Sequence, residues 1–219
     1  STKDVSKVNL RNLCDKAASI VATVVEELNE LADIYNVPKI RSIVSTAKSK
    51  SIASMGDGSL TVNYKYFNNP SNKGKTIKSA TSMDDEDYLS GFKLGDDVSG
   101  EITSTPRNYD QWLEHKKTWV RPHNAFNYFE DEADKIRQTL YHEFAHAIHQ
   151  LKNYNATNYR YPPLEKALEK INFTKTGATR YSDKNAKEWF CENFSLYHMG
   201  RKDLVDPEFI DFLEREVLK

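Results

Sequence analysis

The first regular feature of the sequence is a run of apolar residues at alternating steps of three and four over residues 8–35. Such a run covers one face of an α-helix, and we therefore predict one long amphipathic helix that Pro38 ends. For a single stretch of this kind, a helix packed on its own sheet is favoured over a partner-binding coiled coil. The apolar residues of the run are Leu10, Leu13, Ala17, Ile20, Val24, Leu28, Leu31 and Tyr35.

After this helix, the spacing of the apolar residues changes to the period of two that is typical of strands. Residues 40–46 are rich in β-branched side chains and predict a strand. Residues 51–55 and 59–67 flank Gly56–Gly58, whose two glycines favour a β-hairpin. A lysine on the polar face of the second arm suits an exposed edge strand. The apolar face of that arm carries Leu60, Val62, Tyr64 and Tyr66, and the polar face carries Thr61, Asn63 and Lys65.

The second half of the chain is dominated by helical patterns. One helix is predicted to begin near Asp131, where acidic residues in the first turn suit the helix dipole, and to end near Lys152. Three more are predicted at about 163–171, 183–199 and 206–218, marked by proline, glycine or a capping aspartate at their ends. Strands followed by helices predict an α+β fold with a small twisted sheet and a helical C-terminal half.

Residues 68–123 form a long polar stretch with few regular signals. A loop of this length inside a compact domain is usually functional or disordered. We therefore predict one domain over residues 1–219 with a long irregular insertion, which is either disordered or acts as a lid or a docking element.

Composition and charge argue against nucleic acid and membrane partners. The 31 basic and 32 acidic residues give a net charge of −1, without a basic stripe on any predicted element. No apolar run approaches the roughly 18–20 residues that cross a bilayer. Two cysteines, Cys14 and Cys191, lie far apart in predicted helices and are expected to be buried thiols, which favours a reducing compartment.

The strongest chemical signal is His142-Glu143-x-x-His146, within the helix predicted from residue 131. Residues four apart share a face of a helix, so both imidazoles project in the same direction, about one turn apart. This spacing allows two histidine nitrogens to bind one zinc ion, with Glu143 beside the open coordination position as a general base.

A zinc peptidase needs a third protein ligand, and several residues are candidates. His149 is poorly placed, since seven residues span about 10.5 Å of helix, and a surface or supporting role is expected for it. Glu188 and Glu192 lie four apart on one predicted helix among large apolar residues, where a dication would offset the cost of burying charge. A solvated acidic face is the alternative for this pair. No pattern supports the remaining histidines, which are His115, His123 and His198.

Two segments together resemble a known family. His142-Glu143-Phe144-Ala145-His146-Ala147, followed by Tyr181 and by Glu188-Trp189-Phe190-Cys191-Glu192-Asn193-Phe194, resembles the catalytic domain of anthrax lethal factor. The segments also look like the Pro-Pro endopeptidases and the zincin-like proteins of some bacteriophages. The resemblance covers about residues 142–194, with a weaker echo in the hairpin.

The resemblance implies a zincin-like metallopeptidase domain and assigns roles to its residues. It implies that Glu188 is the third Zn²⁺ ligand beside His142 and His146, that Tyr181 assists catalysis, and that Glu192 orients a zinc-bound histidine. The activity implied is hydrolysis of a protein or peptide by a zinc-activated water, with Glu143 as general base. The substrate would pair with the predicted edge strand formed by Leu60, Thr61, Val62, Asn63 and Tyr64.

The alternative is a virion structural or interaction protein with a zincin fold, either latent or without proteolytic activity. In that case the N-terminal helix or the insertion would contact a virion or protein-complex partner. The segment Ser1–Val5 has no signal-peptide core, so we expect a cytoplasmic or virion-associated protein unless a leader was removed. An intact Glu143 favours the enzyme, because a structural zinc site needs ligands but no base.

Overall fold

A computed structural model shows a mixed α and β architecture, which confirms the predicted α+β class. From residue 71 onward, the predicted insertion at 68–123 lies outside the part of the chain that the structure describes, and so do His115 and His123. The described residues are 5, 7–48, 51–56, 58–70, 124–152, 163–171, 178–179 and 181–218.

Four short strands form one mixed sheet in the order β1-β2-β4-β3. Strands β1 and β4 both run parallel to β2, and β3 runs antiparallel to β4. The predicted strand at 40–46 and the predicted hairpin are confirmed, although each strand is shorter than expected. The strands are β1 (Lys7–Asn9), β2 (Ser42–Thr46), β3 (Ala53–Met55) and β4 (Ser59–Asn63).

The long N-terminal helix, α1, spans Asp15–Tyr35 and therefore starts later than predicted. The prediction is wrong before residue 15, because residues 7–9 are β1 and Asn12, at a φ of 71°, turns the chain between the strand and the helix. Leu10 and Leu13 pack partly against the same core as the helix. They therefore continue its apolar stripe, and spacing alone could not separate the two elements.

The C-terminal end of α1 is formed by Asn36, not by Pro38. Asn36 adopts the left-handed conformation at a φ of 52°, which ends the helix two residues before the proline. About two turns before Asn36, the buried side chain of Asn29 accepts a 2.8 Å hydrogen bond from the backbone N–H of Ile40. The chain leaving the helix is thereby held close to it, on the way to β2.

The second arm of the hairpin differs from its prediction in two ways. Pairing ends at Asn63, whose side-chain oxygen accepts a hydrogen bond from the N–H of Lys65 and caps the helical turn α2 (Tyr64–Phe67). In addition, β4 pairs with β2 on one side and β3 on the other, so it is an interior strand. The predicted edge strand is therefore wrong for Leu60, Thr61, Val62, Asn63 and Tyr64.

The helical second half agrees with its prediction in the order and type of its elements. The helix that carries the His-Glu-x-x-His motif begins after Asp131, whose carboxylate accepts hydrogen bonds from the N–H groups of Ala133 and Asp134. The helices are α3 (Glu132–Leu151), α4 (Pro163–Glu169), α5 (Ala186–His198) and α6 (Pro207–Phe212), the last continued by a π-helical turn, Leu213–Val217.

Helix α3 lies at the centre of the described structure. It packs against α1, α5 and β3, and the core around it is one continuous apolar cluster. Tyr141 and Arg137 of α3 both contact the Glu27 carboxylate of α1, the tyrosine hydroxyl by a 2.9 Å hydrogen bond. Four buried aromatic residues pack against one another between α5 and α6: Trp189, Phe190, Phe209 and Phe212.

The two cysteines have different environments, and neither forms a disulfide. Cys191 is buried on α5, as predicted, whereas Cys14 is exposed at the start of α1, where its backbone N–H donates to the Asn68 side chain. None of the helices in the described part of the chain is long and apolar enough to span a membrane.

Candidate metal centre

Helix α3 presents His142, Glu143 and His146 to a cleft at the junction of α3, α5 and the edge strand β3. The rings of His142 and His146 lie 5.1 Å apart between centroids, as the helical spacing predicts. Both imidazoles are largely withdrawn from solvent, with 11% and 20% of their side chains exposed. Glu143 is half-buried and lines the same cleft.

Glu188 reaches this site from the first turn of α5. The helix begins there because the side chain of Asn185 accepts a 2.9 Å hydrogen bond from the Glu188 N–H. The Glu188 Oε2 atom lies 3.1 Å from Nε2 of His142 and 3.5 Å from Nε2 of His146. The structure therefore brings together the three residues that the sequence and the resemblance pointed to.

Charge interactions within this group raise the pKa of the His142 imidazole and lower the pKa of the Glu188 carboxyl. Burial lowers the pKa of His142, but the Glu188 carboxylate, followed by the charges of Glu192 and Glu143, outweighs burial and raises it above the usual value. Burial acts to raise the pKa of Glu188, yet His142 and His146 outweigh it, and the carboxyl pKa is well below its usual range. Glu188 is thus a carboxylate at neutral pH.

The arrangement fits a divalent cation. Glu188 Oε2 is buried and accepts no hydrogen bond from the described residues; only the two imidazole nitrogens face it. Two ligand atoms on one tetrahedral zinc, bound at about 2.0–2.1 Å, lie roughly 3.3–3.4 Å apart. The distances of 3.1 and 3.5 Å from Glu188 to the imidazole nitrogens bracket this separation.

Cys191, which the sequence predicted to be a buried thiol, is a second candidate ligand. His142, His146 and Cys191 form a group that could hold a metal ion, since their ligand atoms lie within 4.8 Å of one another. However, burial and the surrounding carboxylates, first Glu188, raise the pKa of the Cys191 thiol well above its usual value. A thiol in this state is a poor ligand compared with a carboxylate that is already ionised.

Glu192, one turn beyond Glu188, lies behind His142. Its Oε1 atom is 3.6 Å from Nδ1 of His142, and its Oε2 atom accepts a 2.8 Å hydrogen bond from the N–H of Ala125. With 2% of its side chain exposed, Glu192 is one of the most buried charges of the described structure. The hydrogen bond to Ala125 holds the Glu192 carboxylate at the Nδ1 edge of the imidazole, whereas Glu188 lies at the Nε2 edge.

Tyr181 lies in the cleft, in a short 3₁₀ helix (Tyr181–Asp183) that precedes α5. Its hydroxyl donates a 3.3 Å hydrogen bond to Glu188 Oε1, and its ring lies 6.1 Å from that of His142 between centroids. Burial and then the Glu188 charge raise the pKa of Tyr181 above its usual value, so the phenol keeps its proton. Tyr128 supports this segment by donating to the carbonyl of Ala178.

The cleft has a volume of about 480 Å³, and one of its walls is the segment Ser51–Ser54, which contains the first two residues of β3. The strand at the cleft is therefore β3 and not β4. Sequence reasoning also missed Gln138 and Thr139, which line the cleft from α3. Their signal was available, because they lie three or four residues before His142 and Glu143 on the same helix face.

His149 does not lie at the surface but is completely buried. Its ring contacts His146 on one side and Glu165 of α4 on the other. Burial, followed by the charges of His146 and Lys187, lowers the pKa of His149 to about 3, so the ring is neutral. His198 is remote from the centre, and its Nε2 atom shares a 2.7 Å hydrogen bond with the Tyr35 hydroxyl.

Comparison with protein-family models, with curated proteins and with solved structures found no match to this chain. The case for a function therefore rests on the residues of the cleft and their geometry.

Proposed function

We propose that this protein is a zinc metalloendopeptidase of the zincin type. The observation that carries the proposal is the convergence of His142 Nε2 and His146 Nε2 on a buried carboxylate oxygen of Glu188, with Glu143 in the same cleft. Two imidazoles and a carboxylate that leave a position open are the ligand set typical of catalytic zinc.

Zinc is favoured by the donor set. Imidazole suits zinc, copper, iron and nickel, whereas magnesium and calcium prefer oxygen ligands alone. When bound, the ion would lower the pKa of a water molecule toward about 7 and polarise a substrate carbonyl. The residues that would hold it are His142, His146 and Glu188.

The chain supplies the proton transfers of peptide hydrolysis. Glu143 accepts the proton of the attacking water and delivers it to the nitrogen of the leaving amine. An intact carboxylate at this position supports an enzyme over a structural site, because ligation alone does not require it. Its place in the cleft beside the two histidines is where such a base is needed.

Tyr181 stabilises the negative charge that develops on the substrate carbonyl oxygen. Its raised pKa keeps the hydroxyl proton available for donation at neutral pH. The hydroxyl donates to Glu188 Oε1 at 3.3 Å, which is a long hydrogen bond. It can be exchanged for a stronger hydrogen bond to the substrate oxygen. A single donor of this kind contributes roughly 3–4 kcal/mol to the transition state.

The substrate backbone pairs with β3, the edge strand of the cleft. Pairing of Ile52 with Asn63 and of Gly56 with Ser59 directs alternate backbone groups toward β4. By the same alternation, the N–H and C=O of Ala53 point away from β4, toward the outer edge. An extended peptide would add a strand there through backbone hydrogen bonds, which do not depend on its side chains.

The deciding experiment is hydrolysis of a peptide library by the wild type and by Glu143→Gln, with zinc content measured for both. We expect both proteins to hold one zinc per chain and the variant to lose roughly 100- to 10,000-fold in kcat/KM. Glu130→Gln, at a residue that precedes α3 and does not line the cleft, is the matched control. Zinc binding by a wild type that cleaves nothing would favour the non-catalytic alternative.

A further inference from the structure

We propose that His149 and Glu165 are positioning residues that hold His146 in the tautomer whose Nε2 is free to bind the metal. This inference rests on the proposed metal centre and deepens it. It concerns two residues outside the His-Glu-x-x-His motif, one of them three residues beyond its end and the other on a different helix.

Three side chains form a continuous line from the centre into the core. His146 Nδ1 lies 2.9 Å from His149 Nε2, and His149 Nδ1 lies 2.9 Å from Glu165 Oε1. Both distances are those of good hydrogen bonds. Because His149 is completely buried, these contacts are its only polar partners among the described residues.

One assignment of the ring protons of His146 and His149 satisfies every contact along this line. His146 Nε2 faces Glu188 Oε2 at 3.5 Å and must present a lone pair to bind a metal. Its proton is then on Nδ1 and is donated to His149 Nε2. His149 therefore carries its own proton on Nδ1 and donates it to the Glu165 carboxylate.

The opposite assignment, with the proton of each ring on Nε2, is unfavourable. A proton on His149 Nε2 would be donated to His146 Nδ1 and would place the His146 proton on Nε2, where it blocks ligation. It would also leave His149 Nδ1 without a proton against a carboxylate, which has no donor to offer. The charge of Glu165 thus selects the tautomer of a histidine that it does not touch.

Lys187 forms an ion pair with Glu165. Its ammonium nitrogen lies 3.3 Å from the same oxygen, Oε1, that accepts from His149. Glu165 belongs to α4 and Lys187 to α5, so the contact also ties these helices together at the rear of the centre. Each imidazole of the centre then has a carboxylate behind it, directly for His142 through Glu192 and by way of His149 for His146.

The test measures zinc affinity of the full chain by competition with a chelator, for three variants and a matched control. His149→Leu removes the acceptor for His146, His149→Gln keeps an amide oxygen that can accept, and Glu165→Gln removes the charge. Glu169→Gln removes a carboxylate from the exposed face of the same helix, α4, and serves as the control. Thermal unfolding without zinc reports whether each variant folds.

We expect His149→Leu to bind zinc 10- to 100-fold more weakly, in the range typical of residues that support a metal ligand. Glu165→Gln should be about 10-fold weaker, His149→Gln should recover most of the affinity lost in His149→Leu, and Glu169→Gln should match the wild type. In the zinc-loaded wild type, ¹⁵N chemical shifts of His149 should show the proton on Nδ1.

Two results would overturn the positioning role: a folded His149→Leu with wild-type zinc affinity, or a His149 proton on Nε2. If His149→Leu does not fold, equal affinities of Glu165→Gln, His149→Gln and the wild type overturn it instead. A wild type without zinc affinity overturns the metal centre and this inference together. Absence of peptide hydrolysis bears only on the proposed activity, because the affinities and the chemical shifts are measured without a substrate.

Discussion

Glu188 Oε2 lies 3.1 Å from Nε2 of His142, which places a carboxylate of α5 against an imidazole of α3. Neither helix could bury its charged group alone at low cost, because a desolvated charge needs a partner. The two helices form the most extensive helix contact of the described structure, and this contact holds the pair in place. The proposed ligand set therefore depends on how α3 and α5 pack against each other.

The identity of the third ligand can be decided with two alanine variants. Glu188→Ala should lose at least 100-fold in zinc affinity, because the remaining imidazoles bind without a charged oxygen. Cys191→Ala should keep wild-type affinity, since the thiol is protonated in its buried environment. Zinc per chain by elemental analysis, together with a chelator titration, provides the measurement. Full zinc content in Glu188→Ala and its loss in Cys191→Ala would assign the site to the cysteine.

Tyr181→Phe should lower kcat by roughly 100- to 1,000-fold while leaving zinc content unchanged, because the hydroxyl acts on charge that develops only in the transition state. KM should change little for the same reason. Steady-state kinetics on a peptide cleaved by the wild type provide the measurement. Tyr197→Phe, also on a part-buried tyrosine but away from the cleft, is the control. A KM effect without a kcat effect would assign Tyr181 to substrate binding instead.

Ala53→Pro tests the edge strand. Proline removes the N–H that points away from β4, and it is tolerated at the outer side of an edge strand. We expect KM to rise roughly 3- to 10-fold, the equivalent of one lost hydrogen bond. Ala53→Ser keeps the N–H and should behave as the wild type. An unchanged KM in a folded Ala53→Pro protein would show that substrates do not pair with β3.

The stability of the zinc-free protein should fall as the pH falls from about 6.5 toward 4, in part because of His198. Burial, followed by the charge of Lys202, lowers the pKa of His198 to about 4. Since the folded pKa is below that of the unfolded chain, the unfolded state takes up the proton first. The contribution of neutral His198 to the free energy of unfolding is therefore complete above about pH 6.5, and it is lost progressively as the pH falls to about 4.

His198→Gln retains a side-chain amide that can form a hydrogen bond with the Tyr35 hydroxyl, but it cannot titrate. The decrease in unfolding free energy between pH 7 and pH 5 should be smaller in this variant by on the order of 1–2 kcal/mol. Urea unfolding at the two pH values measures it. An identical decrease in both proteins would show that His198 does not contribute to the acid sensitivity.

Local patterns predicted much of the fold correctly. The strand at 40–46, the hairpin and the order of the helices follow from periods of two and 3.6 residues and from caps such as Asp131. The start of α1 was missed because Leu10 and Leu13 pack on the same core from the turn between β1 and α1. Spacing reports which residues face the core, but it does not report whether a turn separates them.

The sequence by itself determined that His142 and His146 share a helix face with Glu143 beside them, because helical periodicity is a local property. Tertiary structure alone decided which strand borders the cleft, since β2 pairs with β4 across the sheet and leaves β3 at the edge. It also decided between the surface and the supporting role expected for His149, which is buried between His146 and Glu165. These features depend on strand order and on helix contacts between distant parts of the chain, which no local spacing encodes.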